Sequence, residues 1–383
     1  DAVVLRDVSR QVTLETDGIA VVVLQDDPAQ EVADSEGYTI GILSELDREN
    51  TDYAVGQIEE QAGFSLQLAE YTGMDALIDA LRSGEIGGML VNHSLLSLTE
   101  DMEGYEDILT EIRAVITISI QQEVEQPQGQ TAYDPDYFAV YLSGIDTYGG
   151  VTNRSRSDVN IIMAVNTKAQ QILLLSTPRA YYVPLTVSGG AKDKLTHAGL
   201  YGVETSMETL GNLYGIPVDE YVRINFAGFI DVVDALDGID VYSDYAFTSV
   251  GSPGYYDPTD FVEGWNHLDG KAALAFARER HAFATGDIQR GINQMKVIDA
   301  MLEKIKSPAL LTGYSRLLTA VADNFVTSLT SAEISALVRM QLSDFAAWDI
   351  ENCSVTGASS SSTHCYSAQG QKLYVMTPDE ASV

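Results

Sequence analysis

The chain reads as an α/β protein of two units, with a smaller α/β unit ahead of a larger one built on a mixed sheet flanked by helices. Three observations predict this. Apolar residues recur at a period near 2 and then near 3.6 along much of the sequence, as alternating strands and helices require. A stretch rich in Gln, Glu and Pro, residues 121–136, interrupts that pattern and reads as a linker. Charge is also unevenly divided. Of a formal net charge of −34, residues 1–128 hold about −22, with five arginines, no lysine and twenty-seven Asp and Glu. At 383 residues the chain has room for more than one core.

The elements follow in order. Residues 1–35 form an N-terminal extension with one strand, Ile19–Leu24, between acidic and Pro-containing turns. The accessory unit, 36–128, carries strand 38–43, helix 51–62, strand 65–68, helix 74–83, strand 88–91 and a later strand 113–120. The larger unit, 129–383, opens with strand 138–143, which turns at Gly144. Strands 160–165 and 172–176 form a hairpin, and helix 204–213 ends at Gly215-Ile216-Pro217, a Gly-then-Pro stop. Strand 221–225, helix 226–236 and strand 240–242 come next, then a Gly/Pro/Tyr-rich loop, 251–264. Helix 270–280, a long helix 287–306 and helices near 309–323 and 331–341 precede a terminal strand, 372–376.

Several function classes are excluded or disfavoured. A strongly acidic chain repels a nucleic-acid backbone, so no nucleic acid partner is expected. The chain has no phosphate-cradling Gly-x-x-x-x-Gly-Lys-Ser/Thr loop and no Gly-x-Ser-x-Gly nucleophile elbow. Five scattered histidines and two cysteines show no zinc-site spacing. The cysteines, Cys353 and Cys365, flank a Ser-rich loop, which fits a disulfide and an oxidising compartment; two unrelated buried thiols are the alternative. No apolar run is long enough to span a membrane.

The chemistry concentrates in the arginines. Six of fourteen fall in three short segments, Asn153–Asp158, Thr177–Arg179 and Arg278–Gln294. Guanidinium groups are permanently charged, forked donors suited to phosphate and carboxylate oxygens. Asp146 and Asp158, at the ends of neighbouring strands, are carboxylates that suit a divalent cation. Asp287 begins the long helix at an N-cap position, and Arg290 and Gln294, four residues apart, share one helix face. Arg278 and Arg280 stand at the end of the preceding helix, with Glu279 between them as a tether for an arginine. Taken singly, each fits a structural role as well: a cap, a turn or a surface ion pair. Met295, Ile298, Leu302 and Ile305 make an apolar stripe on the long helix, either ordinary core or the wall of a slot. Together the arginines and carboxylates make phosphoryl transfer the first hypothesis.

Five ordered segments carry a family resemblance: Leu142-Ser143-Gly144-Ile145-Asp146, Arg156-Ser157-Asp158-Val159, Thr177-Pro178-Arg179, Lys194-Leu195-Thr196-His197-Ala198, and Arg278-Glu279-Arg280-His281 with Gly286-Asp287, Arg290 and Asn293-Gln294. Over roughly residues 136–380 the chain resembles the LytR-CpsA-Psr (LCP) family, and is most similar to CpsA-type capsule proteins with an accessory domain. The resemblance implies an LCP-type mixed β-sheet core. It also implies a phosphotransferase that moves a glycopolymer, of capsular or teichoic acid type, from a polyprenyl-diphosphate carrier to peptidoglycan with Mg2+ or Mn2+. Carried over by position, Asp146 and Asp158 ligate the metal. Arg156, Arg179, Arg278, Arg280 and Arg290 clamp the diphosphate, Gln294 hydrogen-bonds it and Asp287 positions. Arg154 falls outside the motifs and reads as a loop charge. Many family members have Asp after the Pro-Arg pair; here Ala180 stands there, so no carboxylate base is assigned at that position. The resemblance further implies the extracellular face of the cytoplasmic membrane, with an anchoring span expected ahead of Asp1. A polyprenyl-phosphate-binding regulator and a lipid-carrier pyrophosphatase use the same residues and stand as alternatives.

Overall fold

The computed structural model describes residues 14–123, 136–145, 152–252, 255–306, 325–330, 333–334 and 348–383, with backbone alone at Asp287 and Lys306. The helix expected near 309–323, all but Glu333 and Ile334 of the one near 331–341, most of the 121–136 linker, and Asp146 lie outside the described residues.

The first apolar run is the inner part of β1 (Leu14–Leu24). There follow β2 (Thr39–Leu43), α1 (Arg48–Ala62), β3 (Gln67–Tyr71), α2 (Met74–Ser83), β4 (Gly88–Asn92), the one-turn helix α3 (His93–Leu96), a 3-10 turn (Ser97–Asp101), α4 (Ile108–Glu111) and β5 (Ile112–Glu123). The strands form one sheet in the order β3-β2-β4-β1-β5. β1 therefore lies inside this sheet, between β4 and β5, so the strand expected in the N-terminal extension pairs with the strands of 36–128. Ala54 and Ile58 of α1 pack with Ile40 and Ile42, while Leu77 and Ile78 of α2 pack with Val22 and Leu43. Covering both faces explains why β4 reads as a continuous apolar run rather than an alternating one.

The larger unit begins with β6 (Tyr137–Ile145), β7 (Ser157–Asn166) and β8 (Gln171–Ser176), an antiparallel meander. A short hairpin, β9 (Tyr182–Pro184) and β10 (Lys192–Lys194), leads through a 3-10 segment (Leu195–Tyr201) into α5 (Val203–Tyr214), β11 (Glu220–Asn225) and α6 (Phe226–Ala235). β12 (Ile239–Ser243), β13 (Phe247–Thr248), β14 (Asp260–Phe261) and β15 (Gly264–Leu268) form two small ribbons before α7 (Gly270–Arg278) and α8 (Asp287–Lys306). β16 (Phe325–Thr327), β17 (Asp349–Ser354), β18 (Gly357–Ser362) and β19 (Leu373–Pro378) complete the described strands. The main sheet has the order β16-β11-β6-β7-β8-β17, with β11 parallel to β6 and β17 parallel to β8. Alternation sorts its side chains. Tyr141 and Ile162 pack with Leu195 and Leu210 on one side, while Ile161 and Leu174 meet Met295 of α8 on the other.

Three expectations change. The Ser-rich stretch is not a loop but β18, paired along its length with β19, and no residue of it is buried, which suits the serines. Cys353 and Cys365 are both free: Cys353 is exposed on β17 and Cys365 is buried after β18, its thiol pushed up to about 12 by burial. The expected disulfide is not formed: Cys353 lies on β17, at the edge of the main sheet, and Cys365 in the segment that joins β18 to β19. Arg154 is not a loop charge either. It donates from Nε to Glu15 Oε2 at 2.9 Å and from Nη1 to Asp17 Oδ2 at 3.2 Å, while Arg223 of β11 reaches Glu15 Oε1 at 2.5 Å. Glu15 and Asp17 lie on β1, so these buried pairs fasten the two sheets together.

Candidate active site

α8 lies against the helical face of the main sheet, and its lining of the adjoining cavity changes along its length. Arg290 and Gln294, in its first two turns, face a cavity of about 380 Å³. Ile298, Met301, Leu302 and Ile305 continue that wall, opposed by Leu142, Val222, Ile224 and Phe229. At 1.5 Å per residue the wall from Arg290 to Ile305 runs about 22 Å. It is polar where the helix begins and apolar thereafter. Part of the expected stripe thus forms a slot wall, whereas Met295 is core, 4% exposed against Ile161 and Leu174.

The polar end is assembled by several elements. Gly144 near the end of β6 lines it, where a Cβ would come within 2.8 Å of Val159. Asp158 enters on β7, where it receives Arg179 Nε at 3.2 Å and a hydroxyl hydrogen bond from Thr196 at 3.4 Å. Burial alone would raise its carboxyl, but Arg179, Arg156, Arg290 and Arg278 more than offset this and hold it far below the carboxylate range. Arg278, the last residue of α7, lines the cavity; its guanidinium stands 4.1 Å from the centre of the Phe226 ring and donates to Ser252 Oγ at 2.8 Å.

α7 ends earlier than expected because Glu279 turns into extended backbone and binds the loops instead. Its carboxylate accepts from Val250 N at 2.6 Å and Ala282 N at 2.9 Å. Glu279 is therefore a tether for backbone, not for an arginine. Arg280 lies beyond the helix, meets His281 at 3.3 Å and is not among the residues lining the slot. Asp287 is the first residue of α8 rather than its N-cap. The carbonyl of Gly286, at φ 49°, accepts from Arg290 N and takes the capping place.

Arg156 and Arg179 sit beside the slot, not on its lining, and the sequence reading missed what holds them. Asp101, the last residue of the 3-10 turn Ser97–Asp101, presents Oδ2 to Lys194 Nζ at 2.6 Å, Arg179 Nη2 at 3.5 Å and Arg156 Nη1 at 3.6 Å. Glu100 pairs with Arg156 Nη2. Despite its burial, the Asp101 carboxyl is held far below the usual range by Arg179, Lys194 and Arg156. Burial lowers Lys194, and Asp101 partly restores it. The signal in the sequence was an acidic pair inside an apolar run, Leu98-Thr99-Glu100-Asp101-Met102, but it lies in the unit set apart from the arginines.

For a divalent cation, the described residues supply one carboxylate at the slot, Asp158, whose Arg179 and Thr196 contacts both fall on Oδ1. β6 ends at Ile145 opposite Ser157, and the other expected ligand, Asp146, lies outside the described residues. One or two carboxylates completed by substrate phosphates is a donor set that suits Mg2+. Among the described residues there is no cluster of three or more metal-ligating side chains.

The slot thus joins an apolar wall to guanidiniums at one end, an arrangement that suits an anionic amphiphile. The LytR_cpsA_psr family model matches residues 100–381, and the chain belongs to that family. It is 37% identical over 195 residues to the polyisoprenyl-teichoic acid–peptidoglycan teichoic acid transferase TagU of Enterococcus faecalis, covering 50% of this chain and 62% of that protein. With TagU of Bacillus anthracis the identity is 33% over 207 residues, 54% of this chain and 65% of the relative. The chain therefore spans slightly less than two thirds of these curated relatives. Among solved structures, TagV of B. subtilis superposes with a TM-score of 0.55 at 27% identity, over 65% of this chain and 94% of that one. TagT bound to LI-WTA gives 0.52 at 28% identity, over 68% and 92%.

Proposed function

We propose that this chain is a phosphotransferase that attaches a polyprenyl-diphosphate-linked glycopolymer to peptidoglycan through a phosphodiester. The observation that carries it is the slot: a wall about 22 Å long, apolar from Val297 to Ile305 and ending in a polar group of Arg278, Arg290, Gln294 and Asp158. Such a cavity suits a long hydrocarbon with a diphosphate head, and the guanidiniums oppose the charge that develops on the bridging oxygen as it leaves. A sugar hydroxyl of peptidoglycan loses its proton and bonds to the glycan-proximal phosphorus. The bond from that phosphorus to the bridging oxygen breaks, and polyprenyl phosphate departs. Mg2+ or Mn2+, held by Asp158 with Asp146, would supply charge neutralisation at the phosphates. Arg156, Arg179 and Arg280 belong to the clamp by motif position, and Asp287 is assigned positioning.

The named relatives favour a teichoic-acid-type polymer over a capsular one. The five-stranded sheet ahead of the main one supports the CpsA-type arrangement with an accessory domain. Action on the extracellular face of the cytoplasmic membrane, from an N-terminal anchor, is part of the same proposal, since the acceptor lies there. No helix among the described residues is long and apolar enough to cross a membrane.

The test is incubation with lipid-linked glycan, peptidoglycan and Mg2+, followed by mass analysis of the product. A phosphodiester-linked glycan on peptidoglycan is expected. Release of free glycan phosphate irrespective of peptidoglycan would make the protein a pyrophosphatase, and tight lipid binding without any product would make it a regulator.

A further inference from the structure

The cationic residues around the slot divide into two groups. Arg278 and Arg290 face the cavity, whereas Arg156, Arg179 and Lys194 gather behind Asp158 around one carboxylate oxygen. Three nitrogens that share one oxygen lie within a few ångströms of each other. The side chains that carry them are 2%, 6% and 4% exposed, too deep for solvent to screen their mutual repulsion. Fixed anions allow three such cations to stand together: Asp158 meets Arg179, Glu100 meets Arg156, and Asp101, from the turn between β4 and β5, alone meets all three.

Resting on the reading of the slot as a diphosphate receptor, we infer that Asp101 is a positioning residue for the diphosphate clamp, supplied by the accessory unit. It holds Arg156, Arg179 and Lys194 as one wall behind Asp158, with Glu100 orienting the second nitrogen of Arg156. The other role open to a carboxylate among phosphate-binding cations is that of a stand-in anion, which substrate must displace. The packing decides between them. Leu98, Thr99 and Met102, on both sides of the acidic pair, are 1% exposed or less, and Leu98 and Met102 join the core cluster of Val22, Leu77 and Met89. A turn rooted on both sides in the core does not swing away at each turnover. The carboxylate is a fixed part of the wall, and the accessory unit thereby completes the active site.

Calorimetric titration of the full chain with farnesyl diphosphate tests this, with farnesol as a head-less control and thermal melting of every variant alongside. Asp101→Asn keeps the shape and removes the charge. It should bind the diphosphate at least tenfold more weakly than wild type, with farnesol binding unchanged and melting little altered. Asp101→Glu should recover part of the loss. Glu100→Gln, at a side chain 44% exposed, should fold like wild type by thermal melting and weaken binding about threefold. Should Asp101→Asn fail to fold, the Glu100→Gln result alone decides. Variants that bind as well as or better than wild type would overturn the positioning role, tighter binding by Asp101→Asn marking a competing anion. Wild-type protein that binds no farnesyl diphosphate would instead overturn the diphosphate reading of the slot, and this inference with it.

Discussion

Arg290 stands where the polar and apolar parts of the slot meet, one turn into α8 and 6% exposed. Replacing it with alanine removes a permanent charge from the place where the proposed transfer would develop phosphoryl charge. Loss of such a donor costs on the order of 10² in turnover, so Arg290→Ala should transfer glycan at least a hundredfold more slowly in a product-mass assay. Arg290→Lys should recover only part, since an ammonium lacks the fork. Glu204 supports a separate prediction about stability. Burial, and then Glu15 nearby, push its carboxyl up to about 7 from an ordinary value of 4.5. The unfolded chain loses this proton near pH 4.5 while the folded chain keeps it to about 7. Stability therefore falls as pH rises through that interval and stays reduced above it. Glu204→Gln should abolish this loss, raising stability at pH 8 by roughly 2–3 kcal/mol with little effect at pH 4, read from melting against pH. Most of the site residues were legible one by one, because guanidiniums and carboxylates at strand ends and a helix start are local features. Asp101 was not, because its meaning depends on three cations that fold onto it from distant positions, the nearest of them at 156.

At the scale of elements, α8 does two jobs with one sequence. Its face toward β7 and β8 buries Met295, and the neighbouring face presents Ile298, Leu302 and Ile305 to the slot. Periodicity alone cannot separate those faces, since both are apolar at helical spacing. Ile298→Trp should fill the cavity while leaving the buried face intact. Binding of a long-chain polyprenyl diphosphate should fall at least tenfold, with binding of a short-chain analogue much less affected, as competition titrations would show. The end of α7 shows the converse limit. The helical pattern continues through Arg280, but Glu279 bonds to Val250 and Ala282, which the pattern does not contain, and the helix stops at Arg278.

Across the whole molecule, the alternation of periods placed the mixed sheet and its helices, while the relation between the two units rested on ion pairs invisible to periodicity. Glu15 and Asp17 of β1, each 2% exposed, depend on Arg154 and Arg223 from the larger unit. Removing one partner of a buried pair leaves an uncompensated charge and costs about 3–5 kcal/mol, so Arg154→Ala should lower the melting temperature by several degrees. It should also disturb the Asp101 contacts, since the two sheets are held in register by the same clasp. The assignment as a glycopolymer transferase rests on the slot accepting a diphosphate head at the arginines and a hydrocarbon tail along α8. A crystal structure with a bound isoprenyl diphosphate tests this most directly. The account predicts phosphate oxygens within hydrogen-bonding distance of Arg278 and Arg290, and the chain lying against Ile298 and Leu302. A diphosphate bound away from these arginines, or a slot closed to the chain, would contradict it.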